Sequence, residues 1–239
     1  MPPAAHARNE LGQYDDLAGE WWRPGSAFSM LWWLAKARAH LVPPAARDGA
    51  ILVDLGCGAG LLAPHVQGKG YQHVGVDLVV SSLEQAAAHG VSPVLADVQR
   101  LPFDDAFADV VCAGEILEHV TDWTAVVAEV SRILRPGGWV VLDTIADTRT
   151  ARLLAVRIPD RLLPETRGLH DPALFVDPRR LTLEFARYGV VLDIRGIRPT
   201  LPALARWLVT RRNPVRIVPT WSTAVLYQGR GRKPLEGST

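Results

Sequence analysis

Cysteine is nearly absent: Cys57 and Cys112 are the only two in 239 residues. One pair cannot build a disulfide framework, and neither cysteine has the spacing of a zinc site. A reducing, cytoplasmic compartment is therefore expected. Excess charge is also missing. Lys and Arg total 26 against 25 Asp and Glu, a formal net charge of +1, so nothing in bulk electrostatics favours nucleic acid as a partner. No apolar run is long enough for a bilayer; the densest early one, residues 27–35, is too short. The opening MPPAAHARNELGQYDD has no apolar centre of the signal-peptide kind. No internal repeat or linker divides the chain, and 239 residues that are 48% hydrophobic suffice for one full core.

What is present is alternation. Residues 1–48 carry two aromatic pairs, Trp21-Trp22 and Trp32-Trp33, on what read as short helices capping the domain. After Pro43-Pro44 the expected elements are strand 50–55, helix 59–68, strand 72–77, helix 82–89 and strand 91–96. Strand 107–113, helix 121–134 and strand 139–145 follow, with Arg135-Pro136-Gly137-Gly138 as the stop between the last two. Residues 148–175 form an insertion, 178–188 a helix, and 190–197 and 216–228 two late strands with no helix of clear period between them. This pattern predicts a doubly wound α/β domain over 1–230, with a mostly parallel seven-stranded sheet and an antiparallel edge hairpin. Residues 231–239 read as a disordered tail.

The sharpest local signal is Asp54-Leu55-Gly56-Cys57-Gly58-Ala59-Gly60, between a strand and a helix. Alternate glycines let a ligand approach the main chain at the carboxyl end of the first strand, where such sheets bind ligands. A dinucleotide fingerprint needs its third glycine where Leu61 stands. Asp54 would repel a pyrophosphate but suits the ammonium of a methionine moiety. Asp77, closing Val74-Gly75-Val76-Asp77, could accept both ribose hydroxyls of an adenosine. Asp97 could accept from the adenine amine, and Leu78 and Val98 flank these two acids. The competing account makes each acid a helix cap or turn former.

Taken in order, DLGCGAG, VGVD, ADVQRLPF, FADVVCAG, EILEHV and LRPGG resemble the class I S-adenosylmethionine methyltransferases across residues 50–145. Trp21-Trp22, the run Glu115 to Val120, and Gly168-Leu169-His170-Asp171 with Phe175, Pro178 and Leu181 resemble the ubiquinone-biosynthesis O-methyltransferase family more narrowly, to about residue 198. The resemblance implies cofactor contacts at Gly56, Asp77 and Gly114, with Gly58 and Gly60 in the same loop. It also implies a basic group ahead of the first strand, which by spacing falls on Lys36. It further suggests a divalent metal such as Mg²⁺ held by Glu115, Glu118 and His119. The chain departs from the family at Trp33-Leu34-Ala35-Lys36, at Leu169, and in a C-terminal part with Arg206, Arg211, Arg212 and Trp221. A phenol-like acceptor class, rather than ubiquinone itself, is therefore the expectation.

An acceptor phenol has a pKa of about 10, so attack near neutrality benefits from a base or a metal. His119, His170 and Glu118 are the candidate catalytic groups. Alternatively His119 orients its loop, His170 is an ordinary loop residue, and the acids bond the backbone or the cofactor. In the insertion, Leu153, Leu154, Val156, Ile158, Leu162 and Leu163 interleave with Arg149, Arg152, Arg157 and Arg161. This pattern suits a substrate lid or contact with a bilayer surface, and Pro159 breaks any long helix there. N- or C-methylation of an aromatic metabolite, or a non-catalytic cofactor-binding module, are the other readings.

Overall fold

The computed structural model describes residues 7–26, 28–162, 167–212 and 214–235. Short α1 (Gly12–Asp16) and longer α2 (Ser29–Ala39) precede β1 (Ala50–Leu55). There follow α3 (Ala63–Val66), β2 (Tyr71–Asp77), α4 (Val80–Ala88), β3 (Ser92–Leu95), β4 (Ala108–Gly114), α5 (Trp123–Ile133) and β5 (Leu134–Ile145). The insertion holds α6 (Arg149–Ala151), a π-helical stretch (Arg152–Arg157) and α7 (Pro159–Leu162). The chain closes with α8 (Pro178–Arg187), β6 (Val191–Pro199), α9 (Leu201–Thr210), β7 (Ile217–Thr220) and β8 (Leu226–Arg232). Among the described residues, no helix is long and apolar enough to cross a membrane.

One sheet runs in the order β3-β2-β1-β4-β5-β8-β6-β7. The first five strands are parallel and the last three join antiparallel. Side chains alternate across it. Val53, Leu55, Val111 and Leu142 face Val126, Val130, Ile133, Leu181 and Phe185 from α5 and α8. Leu52, Val110, Cys112 and Val141 face the other way, against Ala39, Val42, Leu62 and Val66. Helices therefore cover both faces, and the carboxyl ends of β1, β2 and β4 open onto one rim. Asp122 caps α5 through Thr124 N and Ala125 N, and Asp177 caps α8 through Arg179 N and Arg180 N.

Several expectations need correction. The sheet has eight strands, not seven, because 216–228 breaks into β7 and β8. Pro219 has no N–H to give and sits on the outermost strand, where that loss is tolerated. A helix, α9, lies between β6 and β7. It is anchored by one buried tryptophan, Trp207, set edge-on against Trp33, so its buried stripe is too narrow to show as a period. The helix expected over 59–68 shrinks to α3, because the loop continues in turns to Leu62. Strand β5 already starts at Leu134, with its register to β4 shifted between Ala108 and Val110. The tail begins inside the sheet: β8 runs to Arg232, and Lys233 Nζ donates to the carbonyls of Ser131 and Leu134. Residues 236–239 lie outside the described residues.

Candidate active site

The glycine loop follows from β1. Asp54 and Leu55 are buried at its end, and the chain then turns with positive φ at Gly56, Gly58 and Gly60. At Gly58 (φ +51) two constraints meet. The backbone is left-handed, and a Cβ would lie 2.6 Å from Trp21 Cη2. A Cβ at Gly56 would meet Ile116 Cδ1 at the same distance. Asp77 closes the loop from β2: its Oδ2 accepts from Gly58 N at 2.8 Å and its Oδ1 from Val79 N at 2.9 Å. Burial pushes its carboxyl above the usual range, partly offset by these backbone donors. Leu78 is exposed beside it. Asp97 accepts from Gln99 N at 2.8 Å, the bonding of a turn former, and Val98 next to it is buried.

Lys36 does not reach this site. It lies exposed on α2, out of phase with the buried Leu34, Ala35, Arg38 and Ala39. Arg38 takes the inward position instead, with Nη1 2.5 Å from Asp143 Oδ1 on β5. Its guanidinium fills the space a Cβ at Gly114 would need, so the glycine ending β4 is what lets the cation in. The pair is almost wholly buried. Burial raises the Asp143 carboxyl although Arg38 opposes it. Glu115, in a left-handed conformation (φ +51) just past β4, is raised by burial and then by Glu118 and Asp143. Glu115 Oε1, Glu118 Oε1, Asp143 Oδ2 and Arg38 Nε are buried without a hydrogen-bond partner among the described residues. Unmatched carboxylate oxygens beside one unmatched guanidinium N–H suit a ligand bearing cationic centres and a carboxylate, which is the charge pattern of S-adenosylmethionine.

The second half of the site lies beyond β4. Leu117–His119 forms a single 3₁₀ turn. Glu118 turns into the core, where its Oε2 accepts from Thr144 Oγ1 at 2.7 Å. His119 is half-buried and meets His170 from the insertion at 5.3 Å between ring centroids. Ligand atoms of Glu118, His119 and His170 all lie within 4.8 Å of one another. Burial lowers the pKa of His119 to about 3 and that of His170 to about 4, so both rings are neutral near pH 7. Tyr14 sits edge-on to His119 and stacks with Trp21 and Phe28, and Trp21 packs on Gly58, so a wall of aromatic rings runs from His119 to the glycine loop.

The trio expected to hold Mg²⁺ is not assembled. Glu115 stands outside the cluster and His170 takes its place, because Glu115 lies ahead of the 3₁₀ turn in a left-handed conformation and so shares no helical turn with Glu118 and His119. Sequence reasoning also missed Asn9, Tyr14, Arg38 and Asp143. Only Arg38 carried a readable signal, being in phase with Leu34 and Ala35.

A glycine loop after β1, an acid closing β2 and this sheet order define the class, a methyltransferase that takes its methyl group from S-adenosylmethionine. Residues 53–142 match the methyltransferase domain family. A solved S-adenosylmethionine-dependent methyltransferase from Thermotoga maritima superposes with a TM-score of 0.64 at 14% identity, over 92% of this chain and 99% of that one, a likeness of fold. A ubiquinone biosynthesis O-methyltransferase of Thiobacillus denitrificans is 36% identical over 183 residues, covering 72% of this chain and 78% of the relative. One from Burkholderia pseudomallei is 33% identical over 201 residues, 79% of this chain and 86% of the relative. The chain belongs to the ubiquinone biosynthesis O-methyltransferase family.

Proposed function

We propose that the chain methylates a hydroxyl of a small phenolic, catechol or quinol-like acceptor. The observation that carries this reading is the convergence of Glu118, His119 and His170 beside the Tyr14, Trp21 and Phe28 wall. The wall would hold a flat ring and the imidazoles would receive its proton. The relatives' names, which specify O-methylation in ubiquinone biosynthesis, support a quinol.

S-adenosylmethionine supplies an electrophilic methyl group on a sulfonium. The loop main chain at Gly56, Gly58 and Gly60 would cradle it, Asp77 would accept from the ribose hydroxyls, and Asp97, Leu78 and Val98 would border the adenine. Arg38, in place of Lys36, would meet the carboxylate through a planar fork, and Asp54 would face the ammonium. In-line displacement then depends mainly on alignment and exclusion of water. A neutral imidazole would accept the phenolic proton as the oxygen attacks; burial disfavours the imidazolium that forms, and the Glu118 carboxylate beside it would offset that cost. A carboxylate with two imidazoles is a poor shell for Mg²⁺, which favours oxygen donors, so we assign the cluster to proton handling.

Product analysis with catechols and hydroxyquinols tests the reading, and an N- or C-methyl product would sink it. His119→Ala and His170→Ala are expected to lower kcat by about 100-fold or more, with cofactor affinity by calorimetry within about twofold. Unchanged turnover in both variants would remove them as bases.

For the insertion we propose contact with an anionic bilayer surface. Leu153, Leu154 and Ile158 are exposed among Arg149, Arg152, Arg157 and Arg161, while Val156 turns inward against the base of the insertion. Leu163 and the side chain of Leu162 lie outside the described residues. The protein should co-sediment with vesicles containing phosphatidylglycerol and not with pure phosphatidylcholine. Leu153→Asp with Leu154→Asp should abolish this, and equal binding by the double variant would leave the segment as a lid alone.

A further inference from the structure

Asn9 stands beside His119 in an arrangement that decides where the imidazole proton sits. Its backbone is left-handed (φ +61), and its N–H donates to Gly168 O at 2.9 Å, tying the N-terminal segment to the insertion. The side-chain Nδ2 donates to the backbone carbonyl of His119 at 2.9 Å. The side-chain Oδ1 lies 2.5 Å from His119 Nδ1. These two contacts share one amide, so neither can be turned around alone. A backbone carbonyl only accepts, so the amide nitrogen must face it. Oδ1 therefore faces the ring, and a carbonyl oxygen there also only accepts. Nδ1 must then carry the hydrogen, and a neutral ring keeps its lone pair on Nε2.

We propose that Asn9 is a positioning residue that fixes His119 as the Nδ1–H tautomer and so reserves Nε2 as the base in methyl transfer. This rests on the reading of His119 as a proton acceptor. It assigns to the N-terminal segment a role of the kind that an orienting carboxylate plays behind a catalytic histidine, here met by a neutral amide. The choice of amide is physically consistent with the surroundings. A carboxylate in its place would bring one oxygen against the His119 carbonyl and would stabilise the protonated ring. The other groups around the ring are His170 from the insertion, Tyr14 from α1 and Glu118 from its own turn.

The test uses Asn9→Gly, because glycine tolerates the left-handed backbone and removes only the amide. In nitrogen-15 spectra of the ¹⁵N-histidine-labelled protein, with His119→Ala used to assign the signal, His119 should show a protonated Nδ1 and an unprotonated Nε2. Asn9→Gly should shift the signal toward the Nε2–H form. Its kcat should fall about tenfold while KM for S-adenosylmethionine is held, and Asn9→Asp, whose carboxylate favours the protonated ring, should instead keep hydrogen on both ring nitrogens to a higher pH than in wild type. A wild-type His119 protonated on Nε2, or an Asn9→Gly spectrum identical to wild type, would overturn the proposal. If instead the tautomer responds as expected but His119→Ala turns over normally, the base assignment fails, and with it the catalytic part of the Asn9 proposal, while the tautomer assignment stands.

Discussion

Replacing Arg38 by alanine is expected to lower the unfolding free energy by about 3–5 kcal/mol, the usual cost of removing one partner from a buried ion pair. The substitution strips Asp143 of its cation in a place where both side chains are almost wholly buried. Asp54 and Glu115 also face the guanidinium electrostatically, so three acids lose one shared counter-charge. The loss should depend on pH in a defined sense. Burial already raises the Asp143 carboxyl above its ordinary value, and without Arg38 it rises further. The folded variant then holds a proton that the unfolded chain releases. Its stability is best preserved below the ordinary carboxylate range and falls as pH climbs through the raised value. The deficit against wild type should therefore shrink on acidification. Urea unfolding at two pH values checks this, and a double variant with Asp143→Ala should lose less than the sum of the two single changes. A single-variant loss under about 1 kcal/mol would show that the pair does not hold the rim together.

The parts of the fold and site that were readable from sequence are those governed by local pattern. The run Ala50 to Leu55 is apolar because both faces of β1 are covered. The glycines after it are legible because their backbone conformation excludes other residues. Asp77 is legible because it ends a strand beside that loop. What stayed hidden depends on tertiary partners. Lys36 and Arg38 are both cations on α2, and only helical phase against Leu34 separates the exposed one from the buried one. The α9 helix is held by Trp207 against Trp33, a contact between residues 174 positions apart in sequence, and its outer face keeps Leu201 and Val209 exposed. His170 could be named as a candidate from its His-Asp pair, but its meeting with His119 depends on how the insertion folds back. Asn9 had no local signature, since its role exists only once the N-terminal segment lies across the turn that carries His119.

Asp77→Ala is expected to weaken S-adenosylmethionine binding by about 100-fold. Hydrogen bonds to a charged acceptor contribute about 1.5–3 kcal/mol each, and tenfold in affinity corresponds to about 1.4 kcal/mol. Losing the contacts to a ribose diol therefore accounts for a change of that size. A second effect points the same way. Asp77 also accepts from Gly58 N and Val79 N, so alanine would free the turn whose shape the cofactor needs. Asp77→Asn separates the two effects. An asparagine keeps one carbonyl oxygen, which can hold either Gly58 N or a ribose hydroxyl but lacks the charge that strengthens both. Its affinity should fall about tenfold, while its melting temperature stays closer to wild type than that of the alanine variant. Calorimetry with S-adenosylmethionine decides the matter. Unchanged affinity in Asp77→Ala would mean that this acid serves the loop alone and that the adenosine lies elsewhere along the rim. Equal losses in the two variants would mean that the negative charge, rather than the number of acceptor atoms, is what the ribose end of the site depends on.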